Sequence, residues 1–184
     1  MKKNLLLAIA LCCLFTAQAQ DVFLSSASTV SFFSETPVEN IDAISKQVVG
    51  AINVKTKSVY FKAKMTTFEF KKALMQEHFN ENYIESEKYP TAVFNGIINE
   101  TVDLTKDGTY AVTVTGNFNL HGVDKKRTIP GSITVKSGSI DVSSEFDVKL
   151  SDHDITIPTV VVKNIAETVK VKVQASLLPV KSEK

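Results

Sequence analysis

Long stretches in which apolar and polar residues alternate with a period of two constrain this chain more than any other feature. One face of the run around residue 115 carries Tyr110, Val112, Val114, Phe118 and Leu120. The segments Ser139–Ser151 and Ile165–Leu178 repeat the pattern. Because successive side chains of a strand point to opposite faces, such runs predict β-strands with one buried face.

The alternation, together with turn residues that flank it, predicts eight strands. They are Thr29–Ser34, Gln47–Lys55, Ser58–Phe68, Thr91–Glu100, Gly108–Gly122, Lys126–Lys136, Ser139–Ser151 and Ile165–Leu178. The turns are expected at Lys106-Asp107-Gly108, His121-Gly122 and Ser137-Gly138. A strand of about 13 residues reaches roughly 43 Å. Eight strands of this kind can pack as two sheets or close into a barrel, which removes the unpaired edges.

Two segments are predicted to be helical. Thr36 resembles a helix cap and Pro37 a first helical residue, so a short helix is expected over Pro37–Ser45. The polar segment Lys71–Glu85 is expected to form another helix. Tyr89-Pro90 then returns the chain to extended backbone, since a proline disfavours helical geometry at the residue before it.

The first 19 residues have the pattern of a secretory signal peptide. Lys2 and Lys3 precede an apolar run, and Ala17-Gln18-Ala19 is a small-x-small cleavage site. Cleavage after Ala19 leaves one domain over residues 20–184. A lipoprotein acylated at Cys12 or Cys13 is the alternative, but both cysteines lie inside the apolar run and neither follows a small residue.

The composition of the predicted mature chain excludes several classes of protein. Cys12 and Cys13 are the only cysteines, so residues 20–184 contain no disulfide, thiolate nucleophile or cysteine metal site. These residues carry 19 basic and 20 acidic side chains and a single arginine, Arg127. Without a basic stripe, nucleic acid is not expected as a partner. No later apolar run is long enough to span a membrane.

Three motifs resemble those of the YceI-like family of exported bacterial proteins. The first is HFNENYIESEKYPTAVFNGI over residues 78–97, and the second is GNFNLHGVDK over residues 116–125. The third is Phe146 followed by Asp152-His153-Asp154-Ile155-Thr156-Ile157-Pro158. The opening strand departs from the family pattern, because it lacks the usual histidine near its end. The chain is therefore identified as a divergent member.

The resemblance implies an all-β fold, an extended antiparallel eight-stranded lipocalin-like barrel with one or two short helices. It also implies a long apolar ligand, such as a polyisoprenoid, in the lumen. The residues predicted to line that ligand site are Phe61, Met65, Phe94, Val112, Val114, Phe118, Phe146, Val148, Val171 and Val173. The alternative is that these side chains fill the barrel completely. A register slip of one residue would turn any strand's set outward.

The helical segment and the histidines have several interpretations. Leu74, Met75, His78, Phe79 and Tyr83 could form a lid over a barrel mouth or simply cover its open end. His78, His121 and His153 are not spaced as a helical metal pair, so turn and cap roles are expected and no metal site is predicted. The pairs Glu85 with Glu87 and Asp152 with Asp154 lie in polar segments typical of a solvated face.

The sequence therefore predicts a periplasmic or secreted binding protein that carries or stores a lipid or isoprenoid. No G-x-S-x-G elbow or H-E-x-x-H motif is present, so no enzymatic activity, catalytic residue or cofactor is expected. The alternative from another class is a solid-core structural or interaction module of the cell envelope, without a small-molecule ligand. A homodimer is left open.

Overall fold

The computed structural model describes residues 21–158 and 165–180, and within them it places ten strands. The strands are β1 (Val22–Ser34), β2 (Ile41–Ser45), β3 (Val48–Asn53), β4 (Ser58–Lys64), β5 (Glu69–Phe70), β6 (Thr91–Ile98), β7 (Gly108–Leu120), β8 (Val123–Lys136), β9 (Ser139–Lys149) and β10 (Thr168–Pro179). The predicted signal peptide, Cys12 and Cys13 lie outside the described residues.

Eight of these strands close into an antiparallel barrel, as the sequence predicts. The order is β10-β9-β8-β7-β6-β4-β3-β1, and β1 pairs back with β10 to complete the ring. Strands β2 and β5 continue the sheet beyond β1 as two additional strands. Closure gives each of the eight main strands a partner on both sides, which leaves few free edges for unwanted pairing.

The hairpin turns form where the turn residues predict them. His121 and Gly122 connect β7 to β8 with φ of 53° and 74°, and Ser137 and Gly138 connect β8 to β9 with φ of 49° and 77°. Positive φ at both central residues is the pattern of a type I′ turn, whose twist matches that of the flanking strands.

The predicted helix over Pro37–Ser45 is wrong, and the first strand is longer than expected. Thr36 does make the capping hydrogen bond, since its Oγ1 accepts from the Glu39 N–H at 3.1 Å. The turn does not propagate, however, because Ile41–Ser45 pairs with β1 as strand β2. Ala43 and Ser45 of β2 are buried, so period-two burial prevails over the local helix signal.

Several other boundaries shift at strand ends. The third predicted strand stops at Lys64 because Met65–Thr67 forms a 3₁₀ turn, and the seventh stops at Lys149 before a second such turn at Leu150–His153. The eighth predicted strand begins at Thr168 rather than Ile165. Each of the two 3₁₀ turns contains one buried side chain, Met65 in the first and His153 in the second.

The second predicted helical segment is confirmed over a shorter length. It consists of helix α1 (Ala73–His78) and a π turn over Phe79–Tyr83, in which the Ile84 N–H donates to the Phe79 carbonyl. The segment docks through Phe79, whose ring centroid lies 5.5 Å from that of Phe32 and 5.0 Å from that of Phe70. Aromatic pairs at these separations add to the apolar burial that fixes a short helix.

The barrel interior is packed solid at one end. The side chains of Ile52, Ile98, Leu104, Ile140 and Leu177 are all 2% exposed or less and belong to one cluster. Two further apolar clusters lie towards the helical segment and the β9–β10 side of the barrel. A filled end and two separate clusters leave room for a cavity between them.

Candidate ligand-binding cavity

A cavity of about 340 Å³ occupies the lumen beside the filled end. This volume lies in the range of roughly 300–1,000 Å³ that is typical of small-molecule sites. Its inner limit is formed by residues of the filled end such as Ile52, Val59 and Ile133. Its outer limit is formed by Met75 and Phe79 of the helical segment and by Ile165.

All ten residues predicted to face a ligand line this cavity. Phe61, Phe94 and Phe118 are direct cross-strand partners on β4, β6 and β7, so three rings in register form one wall. Met65, Val112, Phe118 and Val148 are buried, and Phe61, Phe94, Val114, Phe146, Val171 and Val173 are half-buried. Their contact with a ligand stays a prediction.

The strand register explains why these side chains meet. Val171 lies between Phe32 of β1 and Phe146 of β9 in one cross-strand row. The Phe146 ring reaches across to Phe118 with a centroid separation of 6.2 Å and an interplanar angle of 87°. The two walls therefore converge over this edge-to-face pair.

Sequence reasoning missed part of the lining. Val30 and Phe32 of β1 face the cavity, as do Phe68 and Phe70 beside the helical segment. The signal for Val30 and Phe32 was present, since the two residues alternate with Ser31 and fit the period of a strand. No local signal identifies Phe70, because strand β5 has only two residues and exists through its pairing with β2.

The few polar residues of the lining fall into two groups. Glu39, His78 and Tyr83 belong to the end near the helical segment, and Ser132 and Ser144 belong to β8 and β9. Partial burial raises the pKa of the Tyr83 hydroxyl, so Tyr83 stays neutral. Glu39 is paired with Lys72, the residue before α1. The lining is otherwise apolar, which suits a hydrocarbon guest.

The three predicted turn histidines do not form a metal site in the described part of the chain. There, no group of three or more His, Cys, Asp or Glu side chains is close enough to hold a metal ion. His121 Nδ1 donates to the His153 carbonyl at 3.0 Å, and its Nε2 lies 3.0 Å from a Glu85 carboxylate oxygen. These contacts connect the β7–β8 turn with the turns that follow the π segment and β9.

His153 is the least exposed of the histidines. Its side chain is buried, and its Nδ1 donates to the Val123 carbonyl at 3.3 Å, while Nε2 has no partner among the described residues. Burial lowers the pKa of this imidazole, and the nearby positive charge of Arg127 acts in the same direction. His153 therefore serves as a neutral packing residue beneath Phe118, whose ring centroid is 5.1 Å away.

The sequence model of the YceI-like domain matches residues 22–177, which includes every strand of the barrel up to β10. This chain belongs to the YceI-like family. No curated protein matches it significantly. Among the residues that the structure describes, no helix has both the length and the apolar character needed to cross a membrane.

Solved structures share this YceI-like fold at low sequence identity. A polyisoprenoid binding domain from Saccharophagus degradans, implicated in plant cell wall breakdown, is 16% identical with a TM-score of 0.73, over 88% of this chain and 100% of that one. BcnA of Burkholderia cenocepacia is 16% identical with a TM-score of 0.70, over 81% and 95%. The Campylobacter jejuni YCEI protein is 15% identical with a TM-score of 0.53, over 71% and 80%.

Proposed function

We propose that this YceI-like protein is exported and holds a long apolar molecule, an isoprenoid or another lipid, in its lumen for transport or storage. The observation that carries the proposal is the cavity of about 340 Å³ with a nearly continuous apolar lining. Burying apolar ligand surface there contributes about 25 cal/mol per Å². The S. degradans relative described as polyisoprenoid binding supports the same class of ligand.

Export is proposed from the first 19 residues alone. The charged start, the apolar run and the Ala17-Gln18-Ala19 site together form the pattern of a cleaved signal. A periplasmic or secreted carrier would also meet apolar molecules that leave or enter a membrane. The intact mass of the exported protein should correspond to a chain that begins at Gln20.

The alternative of a solid-core envelope module gains less support from the structure. A completely filled barrel would leave no cavity beside the cluster of Ile52, Leu104 and Leu177, whereas space is present there. Nothing in the lining that the structure describes specifically favours an enzymatic role. The polar lining residues are Glu39, which is paired with Lys72, and isolated hydroxyl and imidazole groups.

Enlarging a small residue of the lining tests the proposal directly. Ala63 is 6% exposed and faces the cavity, so Ala63→Phe should occupy space that the ligand needs. Organic extraction and native mass spectrometry of the exported protein should show a bound lipid in the wild type and several-fold less in the variant. Ala111→Phe is the matched control, because Ala111 is exposed on the outer face of β7. Wild-type protein without extractable or loadable lipid would refute the proposal.

A further inference from the structure

The barrel wall between β8 and β9 is paired over only part of its length. The two strands pair from Lys136/Ser139 to Ser132/Ser143, and no pair follows between the remaining parts, Val123–Gly131 and Ser144–Lys149. We call the boundary between these two segments the seam. By contrast, β7 pairs with β8 from Gly108 to Leu120, and β9 pairs with β10 from Ile140 to Lys149.

Pro130 gives a physical reason for the end of the ladder. The Pro130 carbonyl points towards β9, since it accepts a hydrogen bond from the Ser144 hydroxyl at 2.6 Å. In a strand the N–H and C=O of one residue point to the same side. Proline has no N–H, so β8 lacks the donor that the next ladder bond to β9 would need.

Charged residues occupy inward positions of β8 along the seam. In the register with β7, Lys125 is opposite Phe118 and Arg127 is opposite Gly116, on the face that carries the buried Phe118. A closed wall would bury both charges, which is costly. Lys125 is nevertheless exposed and Arg127 is only half-buried. This part of β8 therefore has solvent where the rest of the barrel has a neighbouring wall.

Side chains, rather than backbone, connect the two sides of the seam. The Arg127 Nη2 donates to the Asp147 carbonyl at 2.6 Å, and the Arg127 guanidinium carbon lies 6.0 Å from the centre of the Phe146 ring. The second connection is the Ser144 hydroxyl bond to Pro130 described above. At the far end of the seam, His153 Nδ1 donates to the Val123 carbonyl. Side-chain bonds of this kind can open without breaking a strand ladder.

The cavity extends to the seam. Gly131, Ser144 and Phe146, which lie at the two edges, belong to its lining, as does the adjacent paired residue Ser132. The barrel has a second fork, where β1 leaves β3 to pair with β2, but there the buried side chains of Met65, Phe68 and Ile84 fill the space. Both forks border the cavity, because Val30 and Phe32 of β1 also line it. The seam differs in that its edge residues Gly131, Ser144 and Phe146 are only half-buried.

We propose that the apolar ligand passes between the lumen and the outside through the seam, and that Arg127 controls this passage by bridging the seam to Asp147. The inference rests on the proposed function, since it needs a ligand in the lumen. A flexible hydrocarbon chain can pass sideways between two strands once they separate. The conditions are that the Arg127 and Ser144 bonds break while the seam stays held at its two ends, by the paired parts of β8 and β9 and by the His153–Val123 hydrogen bond.

The test measures two quantities for each variant, the rates of ligand uptake and release and the Kd for the ligand. The purified exported protein is loaded with geranylgeraniol, and its transfer to excess methyl-β-cyclodextrin is followed over time. Arg127→Ala should raise the rates of uptake and release about tenfold, the effect of losing one hydrogen bond to a charged group, and leave Kd nearly unchanged. Lys170→Ala is the matched control, because it removes a surface cation that pairs with Glu145 on the outside of β9 and β10.

A reversible crosslink provides the converse variant. A Cβ built on Gly131 lies 3.5 Å from the Ser144 Cβ, within the range of about 3.5–4.5 Å found in disulfides. The mature chain is predicted to contain no other cysteine. Oxidised Gly131→Cys/Ser144→Cys should release the probe at least about tenfold more slowly than its own reduced form, since the disulfide replaces a hydrogen bond with a covalent bond. Thr109→Cys/Thr134→Cys, across the fully paired β7 and β8, should show no such difference.

The possible results distinguish a failure of the proposed passage from a failure of the proposed function. A wild-type protein that takes up no geranylgeraniol would refute the proposed function and the passage with it. Normal uptake with equal release from the oxidised and reduced seam variants, or an Arg127→Ala variant with wild-type rates, would refute the passage alone. A weaker Kd in Arg127→Ala with unchanged release would assign Arg127 to ligand contact instead.

Discussion

At the scale of single residues, two glycines allow β6 and β7 to approach each other closely. Gly96 and Gly116 are direct cross-strand partners. A Cβ on Gly116 would lie 2.1 Å from the Asn95 carbonyl oxygen and 2.5 Å from the Gly96 Cα. Both contacts are with backbone, which cannot move aside as a side chain can. The close approach of these two strands therefore requires glycine at position 116.

Gly116→Ala should destabilise the protein by about 2 kcal/mol, because the strands must separate to admit the methyl group. Urea unfolding measures the effect. Gly108→Ala is the control, since its Cβ would meet only the flexible side chain of Tyr110 at 3.2 Å. Equal stability of the two variants would contradict the close-approach argument.

Burial of the His153 side chain should make the stability of the protein depend on pH. Its pKa lies below the ordinary value of 6.5, mainly because of burial. As the pH falls through 6.5, the unfolded chain therefore takes up a proton at this residue before the folded chain does. The free energy of unfolding should decrease over this interval and level off below the folded-state pKa.

His153→Gln should flatten this dependence, because the replacement cannot titrate. Urea unfolding of both proteins between about pH 5 and 7, the range in which histidine changes charge, gives the difference in slope. The comparison holds even if the variant is less stable, since the slope rather than the stability is measured. Parallel pH profiles would show that His153 does not titrate differently in the folded protein.

At the scale of the elements, the helical segment is held by aromatic packing rather than by helix propensity. Helix α1 has only six residues, none of them buried, and its first residue follows a position without a side-chain cap. Helices of this length are not stable alone in water. Phe79 supplies the anchor, since its ring contacts those of Phe32, Phe68 and Phe70.

Phe79→Ala should release this segment while the barrel remains folded. We expect a loss of about 2 kcal/mol, less than the roughly 3–5 kcal/mol for a fully buried phenylalanine, because Phe79 is partly exposed. Hydrogen exchange should become faster at the amides of residues 74–84 and stay slow in β7 and β9. Leu74→Ala, at a site 59% exposed, should change neither quantity measurably.

At the scale of the whole molecule, the lumen is shared by three apolar clusters that do not fill it. One cluster closes the end near Leu104 and Leu177, and the others line the sides near Ile84 and Phe118. Water finds no hydrogen-bond partners on apolar walls, whereas a hydrocarbon makes dispersion contacts with them. A cavity of this kind therefore favours a hydrocarbon guest over water. The proposed binding and the proposed passage both depend on this arrangement.

The alternation of apolar and polar residues was sufficient to predict the strands that build the barrel. It predicted Phe61, Phe94 and Phe118 as inward-facing, and the register of β4, β6 and β7 puts them in one cross-strand row. The resemblance of three motifs to the YceI-like family then distinguished a barrel from two packed sheets. The helix expected after Thr36 failed because a capping turn is local, whereas pairing with β1 is not.

The sequence by itself thus predicted the eight barrel strands and the hairpin turns, since each depends on residues that are neighbours along the chain. The tertiary structure decided the rest. The space left between the clusters and the two-residue strand β5 arise from contacts between residues far apart in sequence. Whether a lumen is filled depends on how side chains from all the strands pack against one another. The sequence of a single strand does not determine this packing.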